Sequence, residues 1–193
     1  MIKNIVFDMG NVLADWAPKQ FVKQLGTPEV FRPVVLHELF ESPEWSMFDA
    51  GRITEEGVLL RIHERMAYHV TSGFYPSLTG DEKELIASLD HWIRRMLEGW
   101  TSLMEPIEKI QFLPEALKKA GYRVYLLTNA SIHFDRYKEQ IPCFSWMDGI
   151  FVSGAHHLLK PEPEIYRAML KEFGLKAEET LFIDDNPINV AGG

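Results

Sequence analysis

The sequence lacks several features that would assign it to a specialised class of protein. Its single cysteine, Cys143, cannot form an internal disulfide, and we expect a small buried apolar side chain rather than a catalytic thiol. Only 20 lysines and arginines oppose 28 aspartates and glutamates, and the resulting net charge of −8 disfavours a nucleic-acid partner. No apolar run approaches the length that crosses a membrane. These absences predict an ordinary globular protein with neither a nucleic-acid nor a membrane partner.

The length and composition are those of a globular chain with one main core. The 193 residues suffice for a hydrophobic core or for a core domain with a small insert, and the hydrophobic fraction of 46% is typical of such proteins. The first apolar run begins almost at Met1, which leaves no room for a signal peptide. We therefore expect a cytoplasmic protein.

Two apolar runs in the sequence end in carboxylates. Residues 5–7 lead to Asp8, and residues 181–183 lead to Asp184 and Asp185. Such runs are typical of buried parallel strands, whose carboxyl ends form the ligand-binding edge of an open α/β sheet. Three carboxylates at one edge repel one another unless a cation lies among them, and oxygen ligands suit a hard ion. The pattern predicts a Mg²⁺ site.

The segment between residues 16 and 105 differs from the rest of the chain. It shows no parallel-strand pattern and consists of predicted helices, one capped by Thr54 and another that begins near Asp81. After it, strands are predicted at 122–127, 149–152 and 181–183, with a helix around 134–140 and a loop at 153–159. This order predicts an α/β fold in which residues 1–15 and 106–193 form a doubly wound parallel sheet and residues 16–105 form an inserted helical cap.

Polar residues at or just beyond the ends of the predicted strands form four motifs in a fixed order. The motifs are Phe7-Asp8-Met9-Gly10-Asn11-Val12, Leu126-Leu127-Thr128-Asn129, Lys160-Pro161-Glu162-Pro163-Glu164-Ile165-Tyr166 and Ile183-Asp184-Asp185-Asn186-Pro187-Ile188-Asn189. Together they resemble the haloacid dehalogenase (HAD)-like hydrolase superfamily, and within it the α-D-glucose-1-phosphate phosphatase-like branch. The resemblance covers nearly the whole chain and implies a Rossmann-like sheet with a helical cap.

The resemblance implies a nucleophile and a metal site. Asp8 corresponds to the nucleophile, which attacks phosphorus and forms an aspartyl-phosphate. Mg²⁺ is expected to be held by Asp8, by the main-chain carbonyl of Gly10, and by Asp184 and Asp185. The implied substrate is a small phosphorylated molecule.

The resemblance also implies a phosphate-binding set. The Thr128 hydroxyl and the Asn129 main-chain N–H are expected to hold phosphate oxygens, and Lys160 to offset the charges of the nucleophile and the phosphate. Each of these residues alone would more often be a turn or a solvated surface group. Asn189 has two interpretations, a helix-face residue or a group that orients Lys160.

The sequence departs from most phosphatases of this superfamily at Gly10. They carry there a second aspartate that protonates the leaving oxygen, and such general acid–base catalysis contributes about a hundred- to ten-thousand-fold in rate. Asp15 is a candidate replacement acid, although a turn or helix-cap role is better supported.

Three functions are compatible with this departure. The favoured one is a phosphatase whose leaving group needs little protonation, such as a sugar 1-phosphate, because the matching branch shares the glycine. The second is a protein that binds and regulates a phosphorylated ligand with weak or no turnover. The third is a 2-haloacid dehalogenase-type hydrolase, which is disfavoured because such enzymes need no Mg²⁺ and this chain keeps Asp184 and Asp185.

Overall fold

The computed structural model describes residues 1–193, which divide into two compact units. The first unit comprises Met1–Trp16, Asp49–Gly51 and Met104–Gly193, and the second comprises Ala17–Phe48 and Arg52–Leu103. None of the helices combines the length and the apolar character that a membrane crossing requires.

Strands are confined to the first unit. They are β1 (Asn4–Phe7), β2 (Ala14–Asp15), β3 (Glu105–Pro106), β4 (Arg123–Thr128), β5 (Gly149–Val152) and β6 (Thr180–Ile183). Strands β2 and β3 form a short antiparallel ladder, whereas the other four form the central sheet in the order β5-β4-β1-β6 with every neighbour parallel. The predicted α/β class with a Rossmann-like parallel sheet is confirmed.

The α-helices are distributed over both units. In chain order they are α1 (Pro18–Gln24), α2 (Arg32–Val35), α3 (Pro43–Asp49), α4 (Glu55–Thr71), α5 (Glu82–Gly99), α6 (Leu113–Lys119), α7 (Ser153–His156), α8 (Pro163–Glu172) and α9 (Pro187–Gly192). A π-helical turn at Leu36–Phe40 follows α2 directly.

One face of the central sheet packs against helix α8. Alternate strand residues, among them Val6, Leu127 and Phe151, form a buried cluster with Ile165 and Met169 of the helix. These strand residues are 2% exposed or less. Burial of this kind explains why the strand sequences are nearly continuous apolar runs.

The register of the sheet decides which strand ends meet. Phe7 in β1 pairs with Leu126 in β4 on one side and with Ile183 in β6 on the other. Strands β1 and β6 both end at this level, and the next residues are Asp8 and Asp184. The proximity of these two carboxylates is therefore a consequence of strand register.

The second unit is helical, as the absence of a strand pattern predicted. Helix α4 begins at the Thr54 cap, whose side-chain oxygen accepts a hydrogen bond from the Gly57 N–H at 3.1 Å. Asp81 caps α5 in the same way. The aromatic residues Trp45, Phe48 and Trp100 are buried, and Phe48 and Trp100 each pack edge-on against Trp45 in the core of this unit.

A close main-chain approach fixes a loop of the first unit. A Cβ atom at Gly51, where φ is +62°, would lie 2.3 Å from the Gly154 carbonyl oxygen, so only glycine fits. Next to it the buried Ser153 hydroxyl donates to the Asp49 carbonyl oxygen at 2.6 Å and accepts from the Ala130 N–H at 2.9 Å. These contacts join residues 49–51 to α7, which follows β5, and to the loop after β4.

Two local predictions after β4 are wrong. The predicted helix at 134–140 is replaced by two short 3₁₀ turns, Ile132–Arg136 and Lys138–Gln140. Tyr137 lies between them with φ −131°, which interrupts any continuous helix, and the segment is too short to nucleate one alone. The predicted loop at 153–159 begins with the helical turn α7, which continues directly from β5.

Asp148 ties helix α6 to the start of β4 and supports a stability prediction. Its carboxylate accepts from the Lys118 ammonium at 2.6 Å and from the Val124 N–H at 2.8 Å. Although burial acts to raise the pKa of Asp148, these two donors hold it below its usual value. The carboxylate's stabilisation is thus present above the unfolded-state pKa and is lost as the pH falls through the lower folded-state pKa.

Asp148→Ala removes both interactions and should lower the free energy of unfolding at pH 7 by about 1–2 kcal/mol, whereas Asp148→Asn keeps an acceptor for Val124 and should cost less. Urea titrations at pH 7 and pH 3 measure both effects. The gap between wild type and Asp148→Asn should shrink at pH 3, and an equal gap at both pH values would contradict the assignment.

Candidate active site

Asp8 lies at the carboxyl end of β1, one of the two inner strands of the central sheet. It follows β1 directly, its N–H donates to the Ile183 carbonyl oxygen at 2.8 Å, and the residue is 8% exposed. Burial, with a smaller contribution from the charge of Asp184, raises the pKa of Asp8 to about 6 against the lowering influence of Lys160. A carboxylate in this position is costly to ionise unless positive charge lies beside it.

Lys160 supplies that positive charge. Its Nζ lies 2.7 Å from Asp8 Oδ1 and 2.7 Å from Asp184 Oδ2, and its side chain is only 1% exposed. The ammonium therefore bridges the carboxylates delivered by β1 and β6. The interpretation of Lys160 as a merely solvated loop residue is wrong.

Asn129 positions Lys160 through its main chain. The Asn129 amide oxygen accepts from the Lys160 N–H at 2.8 Å, and the amide nitrogen donates to the Lys160 carbonyl oxygen at 3.0 Å. The resemblance implied a role only for the Asn129 main-chain N–H, and the contact of its side chain with the Lys160 main chain was not predicted. Its position directly after β4, beside the strand that leads to Asp8, was the signal that could have suggested it.

Asn189 and Asp184 form a second buried polar pair. Asn189 Nδ2 lies 3.1 Å from both Asp184 carboxylate oxygens, and Asp184 Oδ1 also accepts from the Asn186 N–H at 2.8 Å. Asn189 is 8% exposed on α9. Asn189 was expected either to lie on a helix face or to orient Lys160. In the structure it contacts Asp184, and Asp184 in turn contacts Lys160.

Asn11 is a further residue that the sequence analysis did not assign. Its Nδ2 donates to Asp185 Oδ2 at 3.1 Å, and its Oδ1 accepts from the Trp16 N–H at 3.3 Å. The residue has φ +54°, a conformation that asparagine tolerates better than most residues. Asn11 therefore joins the loop after β1 to the exposed carboxylate of Asp185.

The remaining predicted site residues lie around this group. Thr128 is the last residue of β4 and is 1% exposed, one position beyond the residue level with Asp8. Gly10 lies in the loop after β1, bridged to Ala14. Asp15 is exposed in β2, in register with Glu105 of β3, and the ion pairs of Lys160 do not include it.

The donor set fits a hard divalent cation. Oxygen atoms of Asp8, Asp184 and Asp185 lie within 4.8 Å of one another. Lys160 provides one positive charge against these three carboxylates, so the group retains an excess of negative charge. An all-oxygen set with excess negative charge is the kind that binds Mg²⁺.

The whole chain is similar to known hydrolases. The model of the haloacid dehalogenase-like hydrolase family matches residues 2–193. A sesquiterpene phosphatase of Aspergillus oryzae is 29% identical, with 97% of this chain and 83% of that protein aligned. A D-ribitol-5-phosphate phosphatase of Bacteroides thetaiotaomicron is 25% identical, with 98% of this chain and 86% of that protein aligned.

A solved structure shares the fold. It is a HAD family enzyme of Bacteroides thetaiotaomicron in complex with magnesium and inorganic phosphate, with a TM-score of 0.63 and 24% sequence identity. The alignment covers 100% of this chain and 89% of that one. The likeness extends over the whole chain and supports the α/β fold described above.

The contact between Asn129 and Lys160 generates a prediction. Asn129→Ala should lower the free energy of unfolding by about 1–3 kcal/mol, because it leaves the half-buried main-chain N–H and C=O of Lys160 without their partners. Asn11→Gly is the matched control, since it removes an exposed amide and glycine accepts φ +54° without strain. Chemical denaturation should show the larger loss for Asn129→Ala; equal losses would contradict its role in holding Lys160.

Proposed function

This chain belongs to the haloacid dehalogenase-like hydrolases, and we propose that it is a Mg²⁺-dependent phosphatase that acts on a small phosphorylated metabolite. The two relatives named as phosphatases support phosphoryl transfer as the reaction class. One name specifies a sesquiterpene and the other a sugar-alcohol phosphate, so together they support the reaction and not one particular substrate.

The observation that carries the proposal is the buried group of Asp8, Lys160 and Asp184 with Asp185 beside it. A nucleophilic carboxylate must be ionised to attack, and the Lys160 ammonium 2.7 Å away favours that ionised form. The same ammonium can attract a phosphate dianion to a region that otherwise carries three carboxylates.

The chain's own residues account for two successive displacements. An Asp8 carboxylate oxygen forms a bond to phosphorus while the bond between phosphorus and the leaving oxygen breaks, which gives an aspartyl-phosphate and an alkoxide or alcohol. Water then attacks phosphorus, and the bond to the Asp8 oxygen breaks, which releases inorganic phosphate and restores the carboxylate. We assign the holding of phosphate oxygens to the Thr128 hydroxyl and the Asn129 main-chain N–H, and the offsetting of charge to Lys160.

The metal would be held by the carboxylates of Asp8, Asp184 and Asp185 and by the main-chain carbonyl of Gly10. When bound, Mg²⁺ draws negative charge from the phosphoryl oxygens and so favours attack by an anion. Asn11 and Asn189 would keep Asp185 and Asp184 in place through the hydrogen bonds described above.

The substrate proposal rests on Gly10. With no carboxyl two residues after Asp8, the leaving oxygen departs with most of its negative charge, unless another group protonates it. We therefore propose that the natural substrate has an acidic leaving group, such as the anomeric hydroxyl of a sugar 1-phosphate.

The function is tested by a panel of phosphate esters assayed with Mg²⁺, in EDTA, and after Mg²⁺ is restored. We expect hydrolysis that is lost in EDTA and recovered on addition of Mg²⁺, because the three carboxylates would otherwise face a phosphate dianion unshielded. Full activity in EDTA would contradict the metal site and favour the dehalogenase alternative. Phosphate binding without turnover would favour the regulatory alternative.

Two variants show whether the measured hydrolysis comes from this protein and depends on Asp8. Asp8→Asn should abolish turnover and leave the thermal unfolding transition cooperative, which also excludes a contaminating phosphatase. Asp15→Asn is the matched control, because it removes an exposed carboxylate from β2, the strand that follows the Asp8 loop, and should leave the rate nearly unchanged. A large loss of rate in Asp15→Asn would instead identify Asp15 as the replacement acid.

Gly10→Asp tests the leaving-group argument. A Cβ at Gly10 would lie 3.5 Å from Trp16 Cβ, an ordinary contact, and the residue is not in the left-handed region, so the backbone accepts a side chain there. The wild type should cleave aryl phosphates and sugar 1-phosphates far faster than alkyl phosphates such as sugar 6-phosphates. The variant should narrow that difference by accelerating the alkyl esters by about ten- to a hundred-fold.

The measurement is kcat/KM for a series of esters with leaving groups of graded pKa, in both proteins. Mg²⁺ binding by Gly10→Asp must first match that of the wild type, since an added carboxylate near the metal could change affinity. Equal wild-type rates for alkyl and aryl esters would show that another group already supplies the proton.

A further inference from the structure

The second, helical unit contains a separate cluster of metal-ligating side chains that the phosphatase proposal does not use. His37 and Glu38 lie on the π-helical turn Leu36–Phe40, and His69 lies on α4. One potential ligand atom from each of these residues lies within 4.8 Å of the others. We propose that His37, Glu38 and His69 form a second metal site, selective for Zn²⁺ or a similar transition-metal ion over Mg²⁺.

The ligand atoms converge on one carboxylate oxygen. Glu38 Oε1 lies 2.6 Å from His69 Nδ1 and 3.5 Å from His37 Nδ1. The Tyr75 hydroxyl donates to the same oxygen and lies 2.7 Å from His37 Nδ1. In a tetrahedral site with zinc–ligand bonds of about 2.0 Å the ligand atoms are about 3.3 Å apart, a separation that lies between these two distances from Glu38 Oε1.

The charges around Glu38 leave room for a cation. Arg65 Nε donates to the other carboxylate oxygen, Glu38 Oε2, at 2.8 Å, and its terminal nitrogens bind Glu44 and the Glu38 carbonyl oxygen. Two carboxylates and one guanidinium sum to one negative charge. Arg65 also fixes the direction of the carboxylate, so that Oε1 faces the two imidazoles, as outer groups do around metal ligands.

The alternative interpretation is a structural hydrogen-bond network around a buried carboxylate. The Glu38 side chain is fully buried, and its hydrogen bonds are sufficient to satisfy it. Two features are not required to satisfy the hydrogen bonding of Glu38. His37 brings a second imidazole nitrogen toward an oxygen already bonded by His69 and Tyr75, and π-helical turns occur frequently at functional sites.

The rings are also held in place, and the site can be reached from solvent. Phe74 stacks on His69 with ring centroids 4.4 Å apart and on His37 at 5.8 Å. The His37 side chain is 44% exposed, which gives an ion a path to the cluster.

The donor types separate this cluster from the aspartate site. Two imidazole nitrogens and one carboxylate oxygen are the ligands of many zinc sites, whereas Mg²⁺ prefers oxygen and its hydration water. The imidazoles bind as neutral groups, with the remaining proton on Nε2 of each ring. The two units would therefore take different ions from a mixture.

The test is a Zn²⁺ titration of the full-length protein in excess Mg²⁺, which occupies the aspartate site, followed by competition with a chromophoric chelator. We expect one tightly bound Zn²⁺ per chain. X-ray absorption of the loaded protein should show imidazole scattering with nitrogen and oxygen ligands at about 2.0–2.1 Å.

Matched histidine variants assign the ion to the cluster. His37→Gln and His69→Gln should each weaken Zn²⁺ binding by about tenfold or more, whereas His91→Gln, which removes an exposed imidazole elsewhere in the same unit, should not. His37 is exposed, so His37→Gln is expected to fold. If His69→Gln does not fold, the result for His37→Gln alone decides the test. Absence of bound Zn²⁺, or equal weakening in all three variants, would overturn the proposal. Because Asp8, Asp184 and Asp185 take no part, failure here leaves the phosphatase proposal unaffected.

Discussion

The bridge from Lys160 to Asp8 and Asp184 is the interaction on which the rest of the candidate active site depends. Two carboxylates delivered to the same sheet edge repel each other, and burial raises the pKa of one of them, Asp8. An ammonium 2.7 Å from each carboxylate offsets this repulsion. Removing one partner from such a buried group typically costs about 3–5 kcal/mol. The residue that would assist catalysis is thus also a condition for the site's structure.

Amide side chains hold this charged group in place. Asn129 holds the main chain of Lys160, Asn189 holds Asp184, and Asn11 holds Asp185. An amide both donates and accepts hydrogen bonds without adding charge. In a region that already carries an excess of carboxylates, neutral donors can orient the acids without neutralising the site or increasing its repulsion.

The two units arrange their polar groups in contrasting ways. In the α/β unit, Asp8 and Asp184 share one ammonium and Asp185 lies beside them, which leaves an excess of negative charge and only oxygen donors for a cation. In the helical unit, the buried Glu38 carboxylate is hydrogen-bonded to the guanidinium of Arg65, the phenol of Tyr75 and the imidazole of His69. The second arrangement is closer to electrical neutrality and offers nitrogen donors, so the chemistry expected of the two clusters differs.

Much of the α/β unit could be predicted because each clue is local. Apolar runs that end in polar residues marked the strands leading to Asp8, Thr128 and Asp184, and the absence of such runs marked the helical segment. The prediction failed at 134–140, where a helix was expected but Tyr137 separates two 3₁₀ turns. Short segments are decided by their packing and not by their own propensity.

The sequence by itself determined the fold class, the order of the polar residues at the strand ends and the excess of carboxylates near one edge of the sheet. These features depend on hydrophobic periodicity and on the residues that end each strand, and both are local properties of the sequence. Only the tertiary structure decided that Lys160 bridges Asp8 and Asp184, that three asparagine side chains orient the group, and that His37, Glu38 and His69 meet. Those contacts join residues far apart in the chain. Strand register, helix facing and the π-helical turn bring them together, and none of these can be read from local spacing.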